Sequence, residues 1–216
     1  MSKAPQVHFE IGQIDEKKIA RQLGGLQDKV PVVIRRAVNR TATHLQKPIK
    51  NETLKNYAVT NIRKKDIQKT LTVYKARKGE EISAGVMSIA DRGIPLYRFE
   101  TSRRQPVREN PPKFIYARVL LSSEMKKLKG SPNHSKGFIM RTASGHVGVF
   151  ERRLGVLREK QRPRRTTDEK VEEVLGPSIP SMIRNKKSSD AIVKDGTKFL
   201  QRQIDHEIEF QLRKLK

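Results

Sequence analysis

From Pro31 onward, apolar residues recur at three- and four-residue steps: Ile34, Val38, Thr41, Ala42 and Leu45 fall on one side, with Arg35, Arg36, Asn39, Arg40, Thr43 and Lys47 opposite. That spacing predicts an amphipathic helix with a basic outer face. Pro31 suits the first turn, and Pro48 is expected to kink or end the helix. Upstream, Ile14, Ile19, Leu23 and Leu26 trace a rougher helix interrupted at Gly24 and Gly25, with a short strand before it at residues 7–11. Downstream, Thr60 is placed to cap a second, shorter basic helix carrying Ile62, Ile67 and Leu71.

The period then changes. "LTVYKA", "EISAGVMSIA" and "IPLYRFE" are short alternating or β-branched runs, which predict strands near 71–76, 81–89 and 94–99, the first two joined by a hairpin turn at Gly79. Residues 101–113, "TSRRQPVRENPPK", combine prolines and arginines with almost no apolar content and read as an exposed, semi-extended loop. A strand at about 114–121, "FIYARVLLSS", and a basic loop follow. "GFIMRTASGHVGVFERR" then predicts a last hairpin, with Gly145 available for a positive φ and Gly148 for close backbone approach. The tract "RRLGVLREKQRPRRTTDEK" returns to loop chemistry, and Pro180 starts a short helix that Ser178 or Ser181 can cap. From about Ser189, the residues Ile192, Val193, Gly196, Leu200, Ile204, Ile208, Leu212 and Leu215 form one stripe, so a long helix is expected to close the chain. The fold class expected is α+β, a central, mainly antiparallel sheet of about four to six strands flanked by N-terminal helices and a long C-terminal helix. In domain terms this is one domain over 1–216 with a helical part at 1–70, a strand-rich part with basic loops at 71–160 and a helical part at 171–216.

Charge changes this picture more than composition does. The chain's 47 Lys and Arg against 23 Asp and Glu give a net +24 over 216 residues, a field that attracts nucleic acid, acidic protein surfaces or anionic membranes. Hydrophobic residues at 35% make a modest core, which fits a part engaged with partners better than a lone compact enzyme. No apolar run approaches the roughly 18–20 residues that cross a bilayer, and "MSKAPQVHFEIGQ" carries no secretory signal pattern, so no membrane partner is expected and the cytoplasm is the expected place of synthesis. The absence of cysteine removes thiolate chemistry and thiol-ligated zinc.

Candidate chemistry is sparse. His146 could serve as a general base only beside a positioned partner and an orienting carboxylate, and the nearest acid in sequence, Glu151, falls on the opposite strand face. His44 and His134 read as solvated. "DEK" at Asp168 to Lys170 superficially resembles a nuclease carboxylate cluster, but metal-dependent cleavage needs several converging acids, and the remaining acids are scattered among lysines. No phosphate-binding glycine loop is present. No catalytic residue, cofactor or metal site is therefore expected. Arg103, Arg104 and Arg108 in the basic loop, then Arg35, Arg36 and Arg40 on the helix face, are the candidates for contact with a partner or with DNA phosphates. Ile179, Met182 and Ile183 are expected to dock a short apolar helix against the sheet or an adjacent protein.

The order of "VPVVIRRAVNRTATHLQ", "LTVYKARKGEEISAGVMSIADRGIPLYRF", "GFIMRTASGHVGVFERR" and "LGPSIPSMI" with its terminal helix, spanning roughly residues 28 to 216, resembles the minor tail protein Z or tail completion family of lambda-like long-tailed phages. The resemblance implies a structural virion protein at the head-proximal end of the tail, made in the host cytoplasm and needed for head–tail joining. It further implies tail terminator, tail tube and head–tail connector proteins as partners, contact with the end of the packaged DNA, and several copies around the tail axis. It carries over no catalytic residue. A sequence-independent nucleic-acid-binding protein is the alternative that the charge leaves open.

Overall fold

The computed structural model describes residues 6–10, 14–79, 82–90, 92–107, 109–158 and 169–214. They form two compact units: Met1–Lys55, Arg63–Arg92 and Ser178–Lys216 in the first, Asn56–Ile62 and Gly93–Pro177 in the second.

The first unit is built on two long helices. Helix α1 (Glu16–Leu23) starts where the Asp15 carboxylate accepts the Lys18 backbone N–H at 3.0 Å and stops at Gly24. Helix α2 (Val30–Lys55) holds Pro31 in its first turn and runs on through Pro48. A proline inside a helix costs about 3 kcal/mol, yet Leu45, Pro48, Ile49 and Thr53 are all buried on one side. Burial on both sides of the proline therefore outweighs the lost hydrogen bond. The second basic helix, α3 (Lys64–Gln68), is shorter than its apolar spacing suggests. Asp66 accepts the Arg63 backbone N–H at 2.9 Å and so sets the start of α3. Leu71 already belongs to β2 (Leu71–Tyr74).

Strand β2 pairs antiparallel with β3 (Gly85–Ile89), which also pairs with β1 (Gln6–Glu10), in the order β1-β3-β2. The hairpin expected around Gly79 is present, with φ 85° there, but β2 ends at Tyr74 and not at Ala76. Asn39, on the polar face of α2, explains this: its amide donates to the Ala76 carbonyl at 3.0 Å and its oxygen accepts the Ala76 N–H at 2.7 Å. A helix side chain thus takes the place of a strand partner. Helices α4 (Ile179–Ile183) and α5 (Lys186–Arg213) complete the unit, and Ser178 caps α4. Ile192, Gly196, Leu200, Ile204 and Ile208 of the expected stripe are buried, Val193 and Leu212 are exposed, and Leu215 lies outside the described residues.

In the second unit, the strand expected over 94–99 is instead a 3-10 turn at Leu96–Arg98 followed by β4 (Glu100–Thr101). Pro95 cannot donate to a ladder, and its carbonyl accepts the Arg98 N–H at 2.9 Å, closing the turn. This segment crosses the "LGP" stretch closely. A Cβ on Gly93 would sit 2.3 Å from the Gly176 carbonyl oxygen, and the Gly176 N–H donates to Ile94 O at 2.7 Å. Strands β4, β5 (Tyr116–Arg118) and β6 (Lys126–Lys127) form one sheet; β7 (Phe138–Arg141), β8 (Val147–Leu157) and β9 (Glu169–Glu173) form another, in chain order. The α+β class, the antiparallel pairing and the helices at both ends are as expected, while the described strands fall in three sheets of three and not in one larger sheet.

The outer half of β8 departs from the sequence reading. "RRLGVL" was expected as loop but continues the strand, pairing with β9 from Phe150↔Glu173 to Leu157↔Glu169 with a register shift after Arg153. Gly155, at φ 75°, lies in the shifted stretch.

Candidate partner-contact site

Arg36 and Arg40 lie one turn apart on α2, and both turn toward α5. Arg40 Nη1 is 2.6 Å from Glu207 Oε1, and Arg36 Nη1 is 3.4 Å from Oε2. Glu207 is only 1% exposed, whereas the two arginine side chains remain about half exposed. The pair therefore serves first as an internal counter-charge for a buried carboxylate. Arg40 also donates to Gln203 Oε1 at 3.3 Å, and Arg36 lies over the Phe210 ring. Arg35 is half-buried beside them. Further along the same seam, His44 Nε2 contacts Asp195 Oδ1 at 2.7 Å, and its ring stacks on Phe199 with centroids 3.8 Å apart. With 27% of its side chain exposed, His44 is held in the α2–α5 contact and is not the solvated residue the sequence suggests.

The loop arginines divide. Arg104 is spent inside the second unit: Nη1 donates to Tyr97 O at 2.5 Å, Nη2 donates to Phe99 O at 2.8 Å and to Thr60 Oγ1, and the guanidinium lies over the Tyr97 ring. Arg103 is exposed and lines a cavity with Lys136 and Arg152. Arg108 lies outside the described residues. Ile179, Met182 and Ile183 are buried at 7%, 0% and 0% exposure, and α4 packs beside β1 and β3.

Long-range pairing supplies what residue order could not reveal. His146 Nε2 contacts Glu173 Oε1 of β9 at 2.7 Å, so the carboxylate lacking in the local sequence arrives from a strand 27 residues away. A Cβ on Gly148 would sit 2.7 Å from that oxygen, so a side chain there would crowd the pair. Gly145 turns the hairpin at φ 85°. Asp168 lies outside the described residues, Glu169 and Lys170 belong to β9, and among the described residues no three His, Asp or Glu side chains gather to hold a metal ion.

On the β8–β9 ribbon, Glu172 is flanked by Lys170 at 2.9 Å, Arg153 at 3.8 Å and His134 at 3.9 Å. The Lys170 hydrogen bond holds its carboxyl below the ordinary value of 4.5; desolvation opposes this, and the charges of Lys170, Arg153 and His134 reinforce it. A carboxyl lowered by folding favours the folded ribbon above the ordinary glutamate range, and that contribution disappears as pH falls through the folded value. A side-chain NMR titration of Glu172 is expected to give a midpoint below that of an unstructured glutamate, moving upward in Lys170→Met. A midpoint unmoved by that substitution contradicts the assignment.

The arrangement holds many surface cations around two small cores, and no helix among the described residues is long and apolar enough to cross a membrane. No match was found among curated proteins or among solved structures. The family described as prophage minor tail protein Z matches residues 16–216, which takes in both units. The chain belongs to the prophage minor tail protein Z family, a family of structural phage tail proteins.

Proposed function

We propose that this tail protein acts at the head-proximal end of the tail, in several copies around the tail axis, as a non-catalytic joint. It assembles in the host cytoplasm, contacts the tail terminator, tail tube and head–tail connector proteins, and lies against the end of the packaged DNA. Its two units work as one tail-completion domain. The observation that carries this reading is the family match across nearly the whole chain; the +24 charge supports it by supplying attraction to acidic neighbours and phosphates. Arg35, Arg103 and Arg108 are proposed contacts with a partner or with DNA, and Arg36 and Arg40 contribute through their exposed halves.

The alternative of a free-standing nucleic-acid-binding protein leaned on the same cations. Glu207 offsets one of the two charges of Arg36 and Arg40, and Arg104 is bound to main-chain carbonyls, which weakens it. An epitope-tagged chain located by electron microscopy of intact virions is expected at the neck. Label only at the distal tip, or none in purified particles, counts against this placement.

A further inference from the structure

A shallow groove of about 460 Å³ lies in the first unit between α2, α5 and the chain just beyond β2. Arg40 and His44 line it from α2, Phe199 lines it from α5, and Lys75 closes the third side. No acidic side chain lines it among the described residues. Asp195, which His44 Nε2 contacts at 2.7 Å, and the buried Glu207 both lie outside the lining.

The fold sets both cations in place. Asn39 donates to the Ala76 carbonyl at 3.0 Å and accepts the Ala76 N–H at 2.7 Å, so Lys75 is carried on a stretch of main chain that α2 holds fixed. Among the described residues Lys75 has no acidic partner. Arg40 engages the protein through Nη1 alone, with Glu207 Oε1 at 2.6 Å, Gln203 Oε1 at 3.3 Å and His206 Nδ1 at 3.5 Å. A guanidinium carries five N–H donors in a rigid fork, so those on Nη2 and Nε remain for a ligand. The buried carboxylate orients Arg40 without using it up.

The rings complete the groove. Phe199 and His44 stack with centroids 3.8 Å apart and planes within 5°, so each keeps its second face. Cations lie over the rings of Phe210, Phe138, Phe114 and Tyr97, whereas among the described residues none lies over Phe199. A flat group can therefore extend this stack. Aromatic rings beside cations, with no acid between them, are what holds an unpaired nucleotide, its base on the rings and its phosphate on the charges. A duplex keeps its base faces covered and would use the cations alone. We propose that this groove binds an unpaired nucleotide of a single strand, with the base stacked on the Phe199–His44 pair and the phosphate held by Lys75 and the remaining nitrogens of Arg40. That the strand is the end of the packaged DNA rests on the function proposed above; the chemistry of the groove does not.

The test uses the full chain at one fixed salt concentration, because a net charge of +24 attracts any nucleic acid. Three fluorescent ligands of about twelve nucleotides are titrated by anisotropy: a thymidine strand, an abasic strand of equal length and a duplex. The thymidine strand is expected to bind at least about fivefold more tightly than the abasic strand. Phe199→Leu removes that advantage and leaves the abasic strand and the duplex bound as before, which also shows that the variant is folded. Lys75→Gln, at a side chain already in solvent, weakens the thymidine strand more than Lys126→Gln does on β6. Thymidine and abasic strands bound alike by the unaltered chain, a Phe199→Leu effect equal on all three ligands, or a Lys75→Gln effect no larger than that of Lys126→Gln overturns the proposal. Failure here with the chain still at the neck removes the groove alone, whereas base-dependent binding by a chain absent from the neck removes the placement and leaves the groove.

Discussion

Replacing Arg36 and Arg40 together by alanine is expected to destabilise the first unit by about 3–5 kcal/mol, because breaking a buried ion pair from one side leaves a dry charge uncompensated. Glu207 is 1% exposed, and in the double variant it loses both of its counter-charges at once. The effect is asymmetric. Glu207→Leu removes the buried charge and leaves two arginines already half in water, so it costs less than about 2 kcal/mol. The triple variant Arg36→Ala, Arg40→Ala, Glu207→Leu then recovers most of the loss. Urea denaturation of the three proteins checks this order. A triple variant no more stable than the double would mean that the arginines act through their stems and not through the carboxylate.

Phe99→Ala is expected to cost about 3–5 kcal/mol in the second unit, the range for truncating a fully buried aromatic side chain. Phe99 is 0% exposed, and its ring fills the space beside Gly176, where an added Cβ would meet Cε2 at 2.7 Å. Its carbonyl also anchors Arg104 at 2.8 Å, so collapse around the cavity loosens the guanidinium that ties the loop down. Phe99→Leu fills most of the space and costs less than alanine. Hydrogen exchange is the appropriate readout, with protection falling in β5 and around Leu96–Arg98. Unchanged protection there would show that the Gly93 and Gly176 crossing holds the unit without its ring.

The parts of this fold that were legible in the sequence are those whose signal is periodic and long. Helix α2 and helix α5, at 26 and 28 residues, repeat their apolar spacing often enough to be read despite Pro48 and Gly196. The hairpin around Gly145 was legible from turn chemistry. What was not legible depended on partners remote in sequence. Arg40 and Glu207 are 167 positions apart, and nothing in the spacing of α2 separates an arginine facing water from one facing a carboxylate. Asn39 reads as a polar-face residue until Ala76 is placed beside it. The outer half of β8 has exposed Leu154, Val156 and Leu157 and no alternation between core and solvent, so only its pairing with β9 makes it a strand. The candidate contacts followed the same rule. Charge identified the basic residues, but only packing distinguished Arg103, at a cavity rim, from Arg104, folded against carbonyls.

Deleting the gene of this tail protein from the phage tests the proposed role in joining head to tail. Filled heads and separate tails are expected in the lysate, with infectivity lost, and joining and infectivity are restored when the chain is supplied from a plasmid. Joined, infectious particles assembled in its absence would contradict it.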